Sequence, residues 1–109
     1  MLIDDILQGA GFEKNKTYRE TRFITPPKSS YVIFNASYDR RGADNMNLLK
    51  DYDATFELYS SKPDETSEAN IEKQFDLKGI AYSKQERYYI QTEQLYQVIY
   101  EFSFIEKGV

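Results

Sequence analysis

The 109-residue chain contains no cysteine and no histidine. Without cysteine it cannot form a disulfide framework or a thiolate metal site. Histidine is the side chain best suited to proton transfer near neutral pH, so its absence removes the most common general base. Serine and cysteine catalytic triads and almost all zinc sites are excluded for the same reason.

Other signatures of chemistry are also missing. Neither GxxxxGK[ST] nor GxGxxG occurs, so neither common nucleotide-binding loop is present. The net charge is −4 and the basic residues are scattered, which argues against a nucleic-acid-binding surface. We therefore expect no enzymatic activity and no cofactor. The enzyme alternative that remains is catalysis by carboxylates such as Glu57, Asp53 and Glu101.

The composition predicts one globular domain that spans residues 1–109. Apolar residues make up 40% of the chain and charged residues 29%, and a chain of this length can bury a core without staples. The opening MLIDDILQGAGF is interrupted by Asp4 and Asp5 and follows no basic region, so it does not have the pattern of a signal peptide. No stretch is apolar for long enough to cross a bilayer.

Hydrophobic periodicity predicts a helix near the start and two strands after it. Residues 2–10 carry apolar side chains at helical spacing, and Gly11 follows as a stop signal. A short strand is expected around residues 22–25. From residue 31 the pattern alternates, and it alternates again in DYDATFELY, which is typical of half-buried antiparallel strands. The residues expected to face inward are Val32, Phe34, Ala36, Tyr38, Tyr52, Ala54, Phe56 and Leu58.

A second helix is predicted between the two halves of the sheet. Pro63 and Asp64 mark its start, and Gly79 lies where a glycine commonly ends a helix. Its apolar stripe consists of Ile71, Phe75 and Leu77.

Two further strands are predicted at about residues 81–90 and 94–105, joined by a short turn. The order of elements is then α-β-β-α-β-β. This order predicts an α+β fold with two layers, in which a four-stranded, mainly antiparallel sheet carries both helices on one face.

The last predicted strand is apolar on both sides. QLYQVIYEFSF places large side chains at every even position from 96 to 104, and this side is expected to face the helices. The other side still carries Leu95, Ile99 and Ile105. The surplus either completes an ordinary core or is buried against another subunit, a role that suits tyrosine because of its large area and its hydroxyl. In the second case, the predicted subunit interface contains Tyr88, Tyr96 and Ile99.

The segment DRRGADNMN, residues 39–47, is predicted to be a hairpin loop because it is rich in turn-forming residues. Its acidic residues do not match the spacing of a calcium-binding loop, which also needs a closing glutamate, so no metal site is predicted. The loop is then either a solvated turn or a contact with a partner. In the second case the contact residues are Arg40, Arg41 and Asp44, since guanidinium forks bind carboxylates well.

Four runs of the sequence resemble a known family. They are PPKSSYVIF, DRRGADNMNLL, YDATFELYSSKPD and KQERYYIQTEQLYQVIYEF, and they cover roughly residues 20–105. Their order and texture are similar to the small tail-completion proteins of long-tailed bacteriophages and prophages. These minor structural proteins lie at the head–tail junction and are also described as tail terminators. No catalytic motif takes part in the likeness.

The resemblance implies a structural protein of the virion that assembles into a ring, usually a hexamer, on the end of the tail tube. The ring stops tube growth and meets the connector proteins of the filled head. The implied partners are further copies of the chain, the tail tube protein and the head connector proteins, with no membrane. DNA would pass through the lumen without being read, which suits an acidic chain. Assembly would occur in the cytoplasm of the bacterial host.

A different class of function also fits a tyrosine-rich sheet. The chain would then be a non-enzymatic protein-binding module, for example a regulatory or inhibitor domain. Neighbouring genes separate the two, since portal, capsid and tube genes alongside would favour the phage role. The most useful single measurement is solution mass by light scattering, for the chain alone and mixed with tube protein.

Overall fold

A computed structural model describes the chain at residues 1–41 and 49–107, except for the side chains of residues 40, 41 and 107. This part of the chain forms two helices and six strands. In chain order they are α1 (Leu2–Gly9), β1 (Tyr18–Glu20), β2 (Tyr31–Arg41), β3 (Leu49–Ser60), α2 (Glu65–Lys78), β4 (Tyr82–Lys84), β5 (Tyr88–Ile90) and β6 (Leu95–Lys107).

The six strands form one mixed sheet in the order β1-β2-β3-β6, with β4 and β5 both on the outer edge of β6. β1 runs parallel to β2, and the other described pairs are antiparallel. The three central strands are 11, 12 and 13 residues long, whereas each edge strand has three residues. The predicted α+β class is confirmed, but the sheet has two more strands than predicted and one parallel pair.

The first strand lies outside the segment where it was expected. Residues 22–25 form no strand, whereas Tyr18–Glu20 pairs with β2. The Tyr18 ring explains the difference: it is fully buried, and its Oη donates to Asp4 Oδ1 of α1 at 2.7 Å. By contrast, Ile24 remains 79% exposed. Residues 21–30 form the crossover that a parallel pair requires, and we call them the crossover segment.

The predicted strand at 81–90 is interrupted by a bulge. Lys84 lies opposite Tyr100 and Tyr88 lies opposite Gln97, so residues 85–87 face only two residues of β6. An extra residue of this kind inverts the side-chain alternation beyond it. Even-numbered side chains of β4 therefore face the helices, whereas Tyr88 faces the opposite side.

Both helices begin and end as their sequences predict. Asp64 caps α2, accepting a bond from the Ser67 amide at 3.0 Å, and Gly79 ends it in the left-handed conformation at φ 66°. Ile71 and Phe75 are buried, but Leu77 is 69% exposed and the prediction for it is wrong. It lies two residues after Phe75, which places it about 200° around the helix axis. In the described ranges, neither helix is long and apolar enough to cross a membrane.

The core lies between the helices and the even-numbered side of the central strands. At its centre Phe75 of α2 packs against Tyr82 and Phe102, with ring centroids 4.7 and 4.8 Å apart, and against Phe56 at 5.8 Å. The predicted inward set faces this side, although Tyr38 at the edge is 43% exposed. α1 approaches α2 through Gly9, where an added Cβ would lie 2.5 Å from Gln74 Oε1.

The hairpin of β2 and β3 is longer than predicted. The ladder continues through Asp39, Arg40 and Arg41, which pair with Asp51, Lys50 and Leu49. The expectation that the loop begins at residue 39 is therefore wrong. Two long paired strands extend regular hydrogen bonding into a segment whose residue types favour turns. The remainder of the predicted loop, with Asp44, lies outside the described residues.

Candidate interaction surface

The helices cover one side of the sheet, and the candidate site is the other side. It consists of the odd-numbered positions of residues 31–39 in β2, 49–59 in β3 and 95–105 in β6, together with Tyr88 and Ile90 of β5, and we call it the open face. These positions share one side because side chains alternate along a strand and directly paired residues point the same way.

One end of the open face is aromatic. A single row of side chains crosses four strands there, formed by Tyr31, Tyr59, Gln97 and Tyr88. The Tyr31 and Tyr59 rings stack with centroids 5.2 Å apart. Phe23 of the crossover segment meets the Tyr31 ring edge-on at 5.4 Å. These three rings therefore form a small aromatic cluster outside the main core.

Hydrogen bonds tie this row to the next one. Gln97 Nε2 donates to Tyr59 Oη at 2.9 Å, and Tyr59 Oη donates to Glu57 Oε1 at 2.5 Å. Burial raises the pKa of Tyr59 above its usual range, and the bond to Glu57 acts in the same direction. Burial also raises the pKa of Tyr31. Both phenols therefore remain protonated at neutral pH, and Tyr59 acts as a fixed donor.

The other end of the open face is polar and acidic. Ser103 Oγ donates to Asp53 Oδ1 at 2.6 Å, and Gln85 Nε2 donates to Glu101 Oε1 at 2.6 Å. A shallow depression of about 570 Å³ lies at this end, and its lining includes Asp53, Glu101 and Ser103. Its volume lies within the range of small-molecule sites, but such sites are mostly apolar, whereas this depression presents carboxylates, hydroxyls and amides. Its chemistry complements a cationic group.

The three carboxylates of the enzyme alternative all lie on this face. Asp53, Glu57 and Glu101 accept hydrogen bonds from serine, tyrosine and glutamine, which are neutral donors. The described residues include no group of three or more side chains that could hold a metal ion. What the arrangement presents is a fixed pattern of negative charge beside an aromatic cluster.

Two of the three predicted interface residues lie on the open face. Tyr88 is 64% exposed and lies opposite Gln97, while Ile99 is half-buried and lies opposite Glu57. Tyr96 lies on the helix side, where it packs against Tyr89 with centroids 4.9 Å apart. The structure therefore groups Tyr88 with Ile99 and separates Tyr96 from both. Whether any of them contacts another subunit stays a prediction.

The three predicted loop residues have a different outcome. Arg40 and Arg41 belong to the backbone of β2, and Asp44 lies outside the described residues. Their role as partner contacts also stays a prediction.

The sequence interpretation missed the aromatic cluster of Phe23, Tyr31 and Tyr59. A signal for two of them existed, because Tyr31 and Tyr59 sit at odd positions at the outer ends of the two alternating segments. An antiparallel hairpin of those segments brings their ends together. Phe23 had no such signal, since a crossover without regular structure positions it.

A second cluster of titratable groups joins α2 to β4 and β5. Lys84 Nζ lies 2.8 Å from both Glu68 Oε1 and Glu72 Oε2. The Arg87 guanidinium donates to Glu68 Oε2 through two nitrogens at 2.9 and 3.0 Å. Tyr100 Oη donates to Glu72 Oε2 at 2.7 Å. Paired partners of this kind fix the edge strands against the helix.

The protonation of this cluster supports a structural role. Burial alone would lower the pKa of Lys84, but its bonds to Glu68 and Glu72 raise it overall. Burial would raise the pKa of Glu72, but the bonds from Lys84 and Tyr100 lower it overall. Both shifts favour the charged forms at neutral pH, so Lys84 and Glu72 hold each other as an ion pair and are not poised for proton transfer.

No protein-family model, curated protein or solved structure matches this chain. Membership of the tail-completion family therefore stays a prediction from the sequence runs quoted above.

Proposed function

We propose that the chain is a structural assembly protein, a tail-completion protein that forms a ring at the head–tail junction of a long-tailed bacteriophage. The ring caps the tail tube and joins it to the head connector. It acts by binding other proteins and carries out no chemistry of its own.

The observation that carries this proposal is the open face of the sheet. Two helices bury one side of the central strands, and the other side combines an aromatic cluster, the half-buried Ile99 and the exposed Tyr88. Apolar and aromatic residues with a polar rim are typical of surfaces that bind proteins. Tyr88 fits such a surface because its ring is 64% exposed in the single chain and its hydroxyl tolerates water before the ring is buried by a partner.

The acidic end of the same face is consistent with a passage for DNA. Asp39, Asp51 and Asp53 occupy positions at this end of the open face, and the described side chains of the face include no lysine or arginine. A surface of this charge repels phosphate and does not hold the duplex.

The second candidate is a protein-binding module that uses the aromatic cluster alone. The stacked pair Tyr31 and Tyr59, with Gln97 and Glu57 fixing the phenol, is a prearranged recognition patch. This candidate requires a foreign partner and no self-association.

The decisive experiment is deletion of this gene from the phage genome that carries it, followed by electron microscopy of the lysate. We expect filled heads and tails that remain unjoined, with tubes of irregular length. Supply of the wild-type chain from a plasmid should restore complete particles. Normal particles after deletion would overturn the proposed function.

A further inference from the structure

The open face has a counterpart of opposite charge on the same chain. Residues 13–28 carry five basic and two acidic residues, although the whole chain has a net charge of −4. Arg19, Arg22 and Lys28 are exposed, and the described residues offer none of them an ion-pair partner within 4 Å. The chain therefore keeps unneutralised cations on β1 and on the crossover segment.

An apolar side chain stands among these cations. Ile24 is 79% exposed, the largest fraction among the exposed large apolar residues of the described ranges. Phe23 beside it is held against Tyr31, and Pro26 and Pro27 restrict the backbone that follows. The crossover segment thus presents the exposed Ile24 side chain, with Arg22 and Lys28 on either side of it in sequence. Because the neighbouring backbone is restricted, little conformational entropy is lost when this segment docks.

The far side of the open face has the complementary pattern. Ile99 of β6 is half-buried, with Glu57 opposite it and Glu101 two positions further along the same side of the strand. Both carboxylates accept bonds from neutral donors. Ile99 with its two neighbouring carboxylates therefore complements Ile24 with its two neighbouring cations.

The two patches do not meet in the folded chain. Phe23, beside Ile24, packs on Tyr31 of β2, whereas Ile99 lies on β6, two strand positions beyond β2. At about 4.8 Å for each strand, this separation is roughly 10 Å along the sheet. Ile24 stays 79% exposed and the described residues offer Arg22 no ion-pair partner within 4 Å, so both patches are left for a second molecule.

We propose that the crossover segment of one copy docks on the open face of the next copy. Ile24 then packs against Ile99, and Arg22 pairs with Glu101 of the neighbour. The inference rests on the proposed ring assembly and names the two surfaces that form it. Because the surfaces differ, the contact is head-to-tail, and such contacts generate rings or filaments.

Charge reversal tests the contact from both sides. Arg22→Glu leaves the open face intact, and Glu101→Arg leaves the crossover segment intact. Each variant alone places like charges across every contact, which should raise the dissociation constant of assembly by about tenfold or more. In an equimolar mixture, the altered crossover segment of one variant can dock on the altered open face of the other, which restores opposite charges at the contact. Light scattering should then show the mass of the wild-type assembly.

Controls separate the charge pairing from general effects. Lys73→Glu makes the same charge change as Arg22→Glu at an exposed position of α2, on the covered side of the sheet, and should assemble as the wild type does. The charge-removing variants Arg22→Ser and Glu101→Gln should each weaken assembly, and a mixture of the two should not restore it. These variants replace the charge-reversed pair if circular dichroism shows that a charge-reversed variant is unfolded. Raising the salt from about 0.1 M to about 1 M should weaken the wild-type contact, because screening shortens the range of the charges.

Three results would overturn the inference. One is a wild-type chain that keeps the mass of a single 12.8 kDa chain at every concentration. Another is an assembly that stops at the dimer. The third is a pair of variants that assemble normally or that fail to rescue each other. In each case the gene deletion would still decide the proposed function separately, since it reports particle completion whichever surfaces form the contact.

Discussion

The two faces of the central sheet are built from the same three strands, yet they hold different chemistry. On the covered face Phe56, Phe75 and Phe102 pack ring against ring with no polar atom among them. On the open face each aromatic side chain of the Tyr31 and Tyr59 pair brings a hydroxyl. Tyr18 and Tyr100 are also buried on the covered face, but their hydroxyls are bonded to Asp4 and Glu72, whereas Tyr88 on the open face is 64% exposed. The faces therefore differ in how much aromatic surface they leave to water, and a hydroxyl lets such an exposed ring alternate between water and a partner.

The comparison separates folding from association. The covered face contributes most of the apolar burial that stabilises the domain. The open face contributes less, and its side chains are held by local bonds such as Tyr59 Oη to Glu57 Oε1. Changes on the covered face should therefore lower the free energy of unfolding, and changes on the open face should alter assembly.

The largest effect is expected from Phe56→Ala. The ring is fully buried and contacts Phe75 and Phe102, so truncation should lower the free energy of unfolding by about 3–5 kcal/mol. Urea denaturation followed by circular dichroism measures it. Tyr88→Ala, at a 64% exposed position on the open face, should change the same quantity by about 0.5 kcal/mol or less. Equal losses for the two variants would contradict the distinction between the faces.

A smaller effect is expected from Glu68→Ala, which removes the buried carboxylate that joins α2 to Lys84 and Arg87. Lys84 keeps Glu72 as a partner and both cations can reach water, so the loss should be about 1–3 kcal/mol. Glu65→Ala is the matched control: its side chain is 85% exposed and lies 3.8 Å from Arg87. Its effect should be about 0.5 kcal/mol or less. A control as damaging as Glu68→Ala would show that burial does not decide the effect.

Ile99→Asp should change stability little and assembly greatly. Ile99 is half-buried on the open face opposite Glu57, so the added like charge should cost about 1 kcal/mol or less. Light scattering should show loss of self-association, with a folded spectrum. Phe102→Asp, three positions along β6 on the covered face, should abolish folding because it buries an unpaired charge. An Ile99→Asp chain that unfolds would place Ile99 in the core.

The last effect is a change in alkaline stability. Burial, followed by the bond to Asp4, raises the pKa of Tyr18 to about 12 from 10.0. A raised pKa means that the folded state favours the protonated phenol. This contribution is complete below pH 10 and is lost between pH 10 and about 12. The stability advantage of the wild type over Tyr18→Phe should decline across that interval, as measured by urea denaturation, and a constant difference would contradict the assignment.

Sequence periodicity identified most of the fold, and particular residues show why it did not identify all of it. The alternation of Val32, Phe34, Phe56 and Leu58 predicted the two long strands and their inward side, because burial of one side requires that pattern. It could not find β1, whose three residues form a strand only because Tyr18 reaches the core. The sequence interpretation also placed Leu77 on the buried stripe of α2, because Leu77 is close to Phe75 in sequence although the two lie on different sides of the helix.

The candidate site was predictable in part. Ile99 and Tyr88 were identified from the surplus of apolar residues in the last hairpin, and both lie on the open face. Tyr96 was not separable from them, because the strand pattern alone does not show where a helix stops covering the sheet. The basic stretch of residues 13–28 was also overlooked, since its five cations are scattered in sequence and come together only when β1 pairs with β2.

The sequence by itself determined the α+β class, the inward side of each long strand and the ends of both helices. These features are local, since side-chain alternation, a capping aspartate and a left-handed glycine act within a few residues. The tertiary structure alone decided the parallel edge strand, the ion pairs of Glu68 with Lys84 and Arg87, and the side of the sheet to which Tyr88 points. One extra residue at 85–87 inverts the alternation, and only pairing with β6 shows that it is there.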